Sequence, residues 1–291
     1  MDLGVEPLID IRFVGSGVLA VYLVEGDEPA LVDCGPASCV DALTDGLAER
    51  GLALTDVDHL LVTHIHPDHA GAAGVLLREH PKLQVHVSEI GAPHLVDPGR
   101  LERSARRLYG DDFDRLFEEI APVPPENIRV LGDSVLDLEV LPTPGHASHQ
   151  VAFLGGDGVC YPGDAVGCLI RPGHFLYPAA APPEIDVEAW ERSLDAIEER
   201  APSVLRLPHF GEVADPPAHV ARMRERLRAW SEQVRGGQSE EEFVAAADAQ
   251  LAIEAPPVTI DLYRRLAFPT FAMSYAGLKR YWDKRDETSA P

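Results

Sequence analysis

With 291 residues, 45% of them hydrophobic, the chain is long enough to bury a sizeable core and too apolar for disorder to dominate it. Its 48 acidic side chains against 25 basic ones leave a formal charge of -23, a negative field that repels phosphate backbones and argues against a nucleic-acid partner. The opening residues MDLGVEPLID carry neither a basic nor an apolar signal region, and no stretch reaches the roughly 18 consecutive apolar residues of a membrane span, so the expected location is cytoplasmic, with no membrane partner.

The first third reads as a small meander followed by alternating helices and strands. Residues 8–14 and 17–24 are β-branched-rich runs separated by Gly15-Ser16-Gly17, and 30–33 is a third strand before Cys34-Gly35-Pro36. A helix is expected over 42–50, a compact buried strand over 58–63, a helix over 68–80 with Gly71 and Gly74 at close contacts, and a strand over 83–87. Residues from about 89 to 125 interrupt this alternation with two amphipathic helices, 100–109 and 111–120, and read as a helical insertion.

Strands resume at 128–131, 135–141, 151–154 and 159–161, and together they predict a second sheet. Val187, Trp190, Leu194 and Ile197 recur at helical spacing within 187–200, and a strand at 204–207 then leads to Pro208-His209, where the second sheet is expected to end. From residue 217 the text is helical, with candidates at 217–234, 239–252, 258–266 and 270–284. The aromatics there, Trp230, Tyr263, Phe268, Phe271, Tyr275, Tyr281 and Trp282, suit packing over the preceding domain, with a homodimer contact as the other use for them. Cys34, Cys39, Cys160 and Cys168 are too few and too irregularly spaced for a disulfide framework, include no CxxC pair, and read as reduced packing residues.

The chemistry is concentrated in Thr63-His64-Ile65-His66-Pro67-Asp68-His69, which packs three imidazoles and a carboxylate into six positions directly after a predicted strand. In an extended segment His64 and His66 project to the same side and can reach one metal ion, while Asp68 and His69 open the following helix and can reach a second. The bland alternative makes these histidines scattered surface residues and Asp68 a helix cap. Further ligand-type side chains stand at strand exits beside turn signals: His146 in Thr143-Pro144-Gly145-His146, Asp164 in Tyr161-Pro162-Gly163-Asp164, and His209 in Leu207-Pro208-His209.

These pieces, with Leu31-Val32-Asp33-Cys34-Gly35 before them, occur in the order seen in the metallo-β-lactamase superfamily, which the chain resembles over residues 8 to 211. The resemblance implies a four-layer αββα sandwich, with His64, His66 and His146 on a first metal, Asp68, His69 and His209 on a second, and Asp164 bridging. It places Asp33 behind the ligands as a support. It divides the chain into a catalytic domain over 1–215, with its insertion at about 89–125, and a helical C-terminal extension over 216–291 packed on it. The true β-lactamases of the superfamily lack the bridging carboxylate, so antibiotic hydrolysis is not the activity implied. Glyoxalase II-like, lactonase-like and thioesterase-like members carry the full ligand set. Lactonases tend to place a tyrosine soon after the bridging aspartate, where this chain has Ala165-Val166-Gly167-Cys168.

Such a site implies a hydrolase in which two divalent cations lower the pKa of a shared water and a metal-bridging hydroxide attacks a small-molecule ester, thioester or lactone. Zinc suits the mixed imidazole and carboxylate set first, and manganese or iron(II) would also fit. Asp68 is the candidate proton acceptor, although coordination would blunt its basicity. Substrate choice is expected to fall to Arg171, His174 and Tyr177 after the bridging aspartate and to His94, Arg103, Arg107 and Tyr109 in the insertion, each of which has a solvated or core-packing alternative. His149 follows His146 closely enough to support the site, while His59, His80, His86 and His219 read as ordinary strand or surface residues. Competing classes are a mononuclear iron, persulfide dioxygenase-like oxidoreductase, a phosphodiesterase, and a non-catalytic binder that kept the fold. The presence of all seven ligands argues against the last.

Overall fold

The computed structural model of the chain describes residues 7–171, 173–266 and 270–289. They divide into two compact units: the described residues up to Leu141 together with Val151–Gly156, and Pro142–Gln150 together with the described residues from Asp157 onward.

In the first unit, β1 (Leu8–Asp10), β2 (Ala20–Val24), β3 (Ala30–Val32), β4 (His59–Leu61), β5 (Gln84–Val87) and β6 (Ile128–Val130) form one sheet in chain order. β1 to β3 pair antiparallel, with Leu8 opposite Tyr22 and Tyr22 opposite Val32. β3 to β6 are parallel, the chain returning each time through helical segments, as parallel pairing requires. Ile9, Val21, Leu31, Leu60, Leu61 and Val85 are buried along it, near-continuous apolar strands of the kind a sheet covered on both faces needs. One sequence expectation is corrected here. The strand at 128–131 does not open the second sheet but closes the first, Val85 lying opposite Ile128. β7 (Ser134–Val135), β8 (Leu138–Pro142) and β9 (Val151–Gly155) then run side by side.

The helices of this unit are α1 (Val40–Ala48), α2 (Pro67–Ala70), α3 (Ala73–Glu79), α4 (Ala92–Val96), α5 (Gly99–Tyr109) and α6 (Phe113–Phe117). The single helix expected over 68–80 is two, because the Ala72 amide donates to Gly35 O at 2.9 Å instead of continuing the i to i−4 ladder. His69 O correspondingly accepts from Cys34 N and Gly35 N, so the 34–35 turn is laced into the break. The two glycines there are needed for approach: a Cβ on Gly71 would lie 2.2 Å from Pro67 O, and one on Gly74 2.2 Å from Ala121 O. The helical insertion is present, with α4 as an added short helix. It docks through Phe117, whose ring lies 5.3 Å from Phe113 and 6.2 Å from Phe13.

In the second unit β10 (Val159–Tyr161) pairs parallel with β13 (Val204–Leu207), which pairs antiparallel with β14 (Gly211–Val213). The sheet therefore continues past 207, where the sequence suggested an end. β11 (Cys168–Leu169) and β12 (Leu176–Tyr177) form a separate short antiparallel pair. Helices α7 (Val187–Glu199), α8 (Pro216–Arg235), α9 (Glu240–Glu254), α10 (Pro257–Leu266) and α11 (Phe271–Ser289) complete the unit, matching the helical C-terminal segment expected. α9 starts with a capping box, Ser239 Oγ accepting from Glu242 N at 3.3 Å and Ser239 N donating to the Glu242 carboxylate at 2.9 Å. Trp230, Phe243, Tyr263, Phe271 and Tyr177 pack around one another, and Trp282 Nε1 donates to Ser231 O at 3.1 Å. Phe268 lies outside the described residues.

Candidate metal centre

In the first unit the HxHxDH segment begins three residues after the end of β4, and its backbone is turned by a proline. Pro67 occupies the first position of α2, where its missing N–H costs nothing, and His66 O accepts from His69 N and Ala70 N. This places Asp68 and His69 in the first helical turn while His64 and His66 stay on extended chain. The His64 ring centroid lies 4.6 Å from that of His66 and 4.0 Å from that of His69, so the three imidazoles cluster. His64, Asp68 and His69 are buried, and His66 is half-buried. Asp68 Oδ2 stands 3.3 Å from His69 Nε2.

Asp33 sets this arrangement. Its backbone has φ +60°, a left-handed conformation that Asp tolerates better than most residues. Its carboxylate accepts from Thr63 N at 2.8 Å and Thr63 Oγ1 at 2.9 Å, and lies 2.9 Å from His69 Nδ1. A carboxylate on Nδ1 holds the proton there and leaves Nε2 as the basic nitrogen, the pattern found behind metal-ligating histidines. Thr63 Oγ1 also lies 3.1 Å from His64 Nδ1, again directing Nε2 the other way. Beside it, burial pushes the Cys34 thiol up, with the Asp33 charge adding to the effect, and its Sγ contacts His69 O at 3.4 Å. Cys34 is thus an inert packing thiol.

In the second unit His146, Asp164 and His209 converge. His146 Nε2 is 3.6 Å and His209 Nε2 3.8 Å from the same oxygen, Asp164 Oδ2. All three residues are buried. Trp190 on α7 braces two of them: its ring packs edge-on against His146 at 5.5 Å, and its Nε1 donates to Ala165 O, next to Asp164, at 2.6 Å. Gly145 permits this contact, having φ +136° and a Cβ position only 2.3 Å from Trp190 Cα. Cys168 joins the cluster, with Sγ 3.9 Å from Asp164 Oδ2.

The donor set of buried imidazole and carboxylate groups, oriented from behind, fits divalent cations such as zinc. Residues that the spacing did not single out are Thr63, Trp190 and Cys168. Thr63 is ordinary strand-exit text, Trp190 reads as one apolar position of a helix, and Cys168 as packing. The other candidates divide. Tyr177 is a core aromatic, its ring 5.7 Å from Phe175, 6.0 Å from Phe271 and 6.2 Å from Tyr263. Arg171 donates to Glu212 O at 3.1 Å, and His174 is exposed, its carbonyl accepting from Arg222 at 2.9 Å. Arg103 and Arg107 are exposed on α5, His94 is half-buried, and Tyr109 packs against Phe117 at 5.0 Å. His149 is buried. The remaining histidines are structural: His80 Nε2 meets Val57 O at 2.9 Å, His219 Nε2 meets Val166 O at 3.0 Å, and His59 pairs with His86 at 2.9 Å. The four cysteines are buried and none is in a disulfide. Among the described residues no helix is long and apolar enough to cross a membrane.

Comparison with known proteins agrees with this donor chemistry. The family model of the metallo-beta-lactamase superfamily matches residues 14–209. The chain is 27% identical over 264 residues to the probable metallo-hydrolase YqjP of Bacillus subtilis, covering 79% of this chain and 80% of that protein. It is 31% identical over 153 residues to a hydroxyacylglutathione hydrolase of Cupriavidus metallidurans, covering 53% of this chain and 47% of that one. Its fold matches the crystal structure of an archaeal superfamily protein from Sulfolobus tokodaii with a TM-score of 0.67 at 22% identity, over 94% of this chain and 96% of the other.

Proposed function

The chain belongs to the metallo-β-lactamase superfamily, and from that premise we propose that it is a dinuclear metal-dependent hydrolase acting on a small-molecule ester, thioester or lactone. The observation that carries the reading is Asp164: one carboxylate oxygen stands within 3.6 Å of His146 Nε2 and 3.8 Å of His209 Nε2. An oxygen so placed between two imidazoles suits a carboxylate shared by two cations.

In this reading His64, His66 and His146 would hold one cation, Asp68, His69 and His209 would hold the other, and Asp164 would serve both. When bound, two such ions supply Lewis acidity toward an acyl oxygen and lower the pKa of water toward neutrality. The protein residues do the positioning. Asp33 keeps the His69 proton on Nδ1, Thr63 orients His64, and Trp190 holds His146 and the backbone beside Asp164. Asp68, coordinated, has little basicity left for proton transfer, so its main work is as a ligand. The formal charge of -23 favours neutral or weakly charged substrates over polyanions. Similarity to a hydroxyacylglutathione hydrolase, by its name a hydrolase of an acyl-glutathione, supports placing thioesters first.

The test is a hydrolysis screen of thioesters, esters and lactones with zinc- and manganese-loaded protein, repeated with Asp164→Asn. Turnover of an acyl substrate that falls at least roughly a hundredfold in the variant is the expected result. Absence of acyl hydrolysis, together with sulfur-dependent oxygen uptake, would replace the proposal with iron oxygenase chemistry.

A further inference from the structure

We propose that Cys168 is a metal-ligating residue, its thiolate joining Asp164 and His209 on one divalent cation. The inference rests on the reading of those two residues as ligands and adds a donor that the seven-residue set does not contain.

Three ligand atoms, one each from Asp164, Cys168 and His209, all lie within 4.8 Å of one another, and all three side chains are buried. Sγ of Cys168 is 3.9 Å and Nε2 of His209 is 3.8 Å from Oδ2 of Asp164. Zinc–sulfur, zinc–nitrogen and zinc–oxygen bonds of about 2.3, 2.0 and 2.1 Å, at the roughly 90–120° angles of a shell with five protein donors, put donor atoms about 2.9–3.8 Å apart. The observed separations are within a few tenths of an ångström of that, a contraction that small side-chain rotations supply.

The backbone holds Cys168 at this distance. Gly167, at φ +81°, turns the chain out of the Asp164 turn, and its amide donates to Asp164 O at 3.0 Å. Cys168 then pairs with Tyr177 in the β11–β12 ladder. The next amide, Leu169 N, donates to His209 O, which ties the cysteine strand to the histidine turn. The amide after that, Ile170 N, donates to Tyr263 Oη at 3.0 Å. The thiol is therefore placed against the two ligands by four successive restraints on the segment that carries it.

Two of the other cysteines differ. Cys34 Sγ is directed at the backbone carbonyls of Gly35 and His69, and Cys39 Sγ at Ser38 Oγ. On binding, the Cys168 S–H bond breaks, the proton leaves to solvent and the sulfur lone pair forms the metal bond. A thiolate in the set favours zinc, cobalt or iron over manganese, because the softer donor discriminates against the harder ion.

Cobalt(II)-loaded full-length protein tests the assignment by absorption. The expected spectrum contains a near-ultraviolet sulfur-to-cobalt charge-transfer band. That band disappears in Cys168→Ser and Cys168→Ala and persists in Cys160→Ala, while the visible bands of histidine- and carboxylate-bound cobalt remain in all. Zinc-edge X-ray absorption of the wild-type protein gives a reading independent of any variant's folding: a sulfur scatterer at about 2.3 Å is expected. Cobalt bound with no charge-transfer band, a band unchanged in the Cys168 variants, or a zinc shell of nitrogen and oxygen alone overturns the Cys168 assignment and leaves the seven-ligand reading standing. Failure of wild-type protein to bind either metal overturns both.

Discussion

The Asp33 carboxylate lies 2.9 Å from His69 Nδ1 while its own backbone sits at φ +60°, so a residue outside the ligand motif decides which nitrogen of His69 is basic. Asp33→Asn tolerates the same backbone conformation but presents only one acceptor oxygen, which Thr63 N already uses at 2.8 Å. Metal affinity in this variant is expected to fall by roughly 10- to 100-fold, measured by competition with a chromophoric chelator. Unchanged affinity would show that His69 is oriented by something else.

Gly145 carries a second prediction. A Cβ at that position meets Trp190 Cα at 2.3 Å and must adopt φ +136°, so Gly145→Ala has to displace either α7 or the turn that carries His146. A loss of about 3 kcal/mol in denaturant unfolding is expected, with the midpoint falling and the slope retained. Gly132→Ala, with no atom near its Cβ position, is the matched control and should change stability little.

How far the sequence could be read depends on how local the determining forces are. The histidines of 64–69 stand close in the chain and follow a strand, so their clustering needs only the turn that Pro67 imposes. The long helices are equally legible, since the apolar stripe of Val187, Trp190, Leu194 and Ile197 is periodic in the text and buried in the structure. Long-range events are not legible. A strand's composition does not say which sheet it joins, and 128–130 returned to the first. The break after α2 depends on a carbonyl 37 positions earlier, Gly35 O capturing Ala72 N. β11, β12 and β14 have two, two and three residues, too few for alternation to register.

The packing of α10 on the β11–β12 pair can be tested at one hydroxyl. Tyr263 Oη accepts from Ile170 N at 3.0 Å and donates to Phe175 O at 2.9 Å. Tyr263→Phe leaves a buried amide without that acceptor and is expected to cost about 1–3 kcal/mol in equilibrium unfolding. Faster hydrogen exchange at Ile170 should accompany it, and an unchanged rate there would refute the assignment.

His219 gives the stability a defined acid limb. Burial lowers its pKa from 6.5 to about 4, with Arg222 and Arg171 pushing in the same direction and the hydrogen bond to Val166 opposing. Because the folded value is the lower one, the unfolded chain binds the extra proton first. The contribution is therefore complete above about pH 6.5 and is lost as the pH falls toward 4. The gap corresponds to about 3 kcal/mol. Unfolding of metal-free protein between pH 7 and 4 should be less pH-dependent in His219→Gln than in the wild type, and parallel curves would contradict this. His86, also lowered to about 4, first by its own burial and then by His59 and Arg129, supplies a residual slope in both.

The most direct measurement is metal content per chain by elemental mass spectrometry, on protein purified without chelator or added metal, for the wild type and His209→Ala. The dinuclear account predicts about two zinc or manganese ions in the wild type, falling toward one in the variant. A single iron per chain, unaffected by loss of His209, would contradict it.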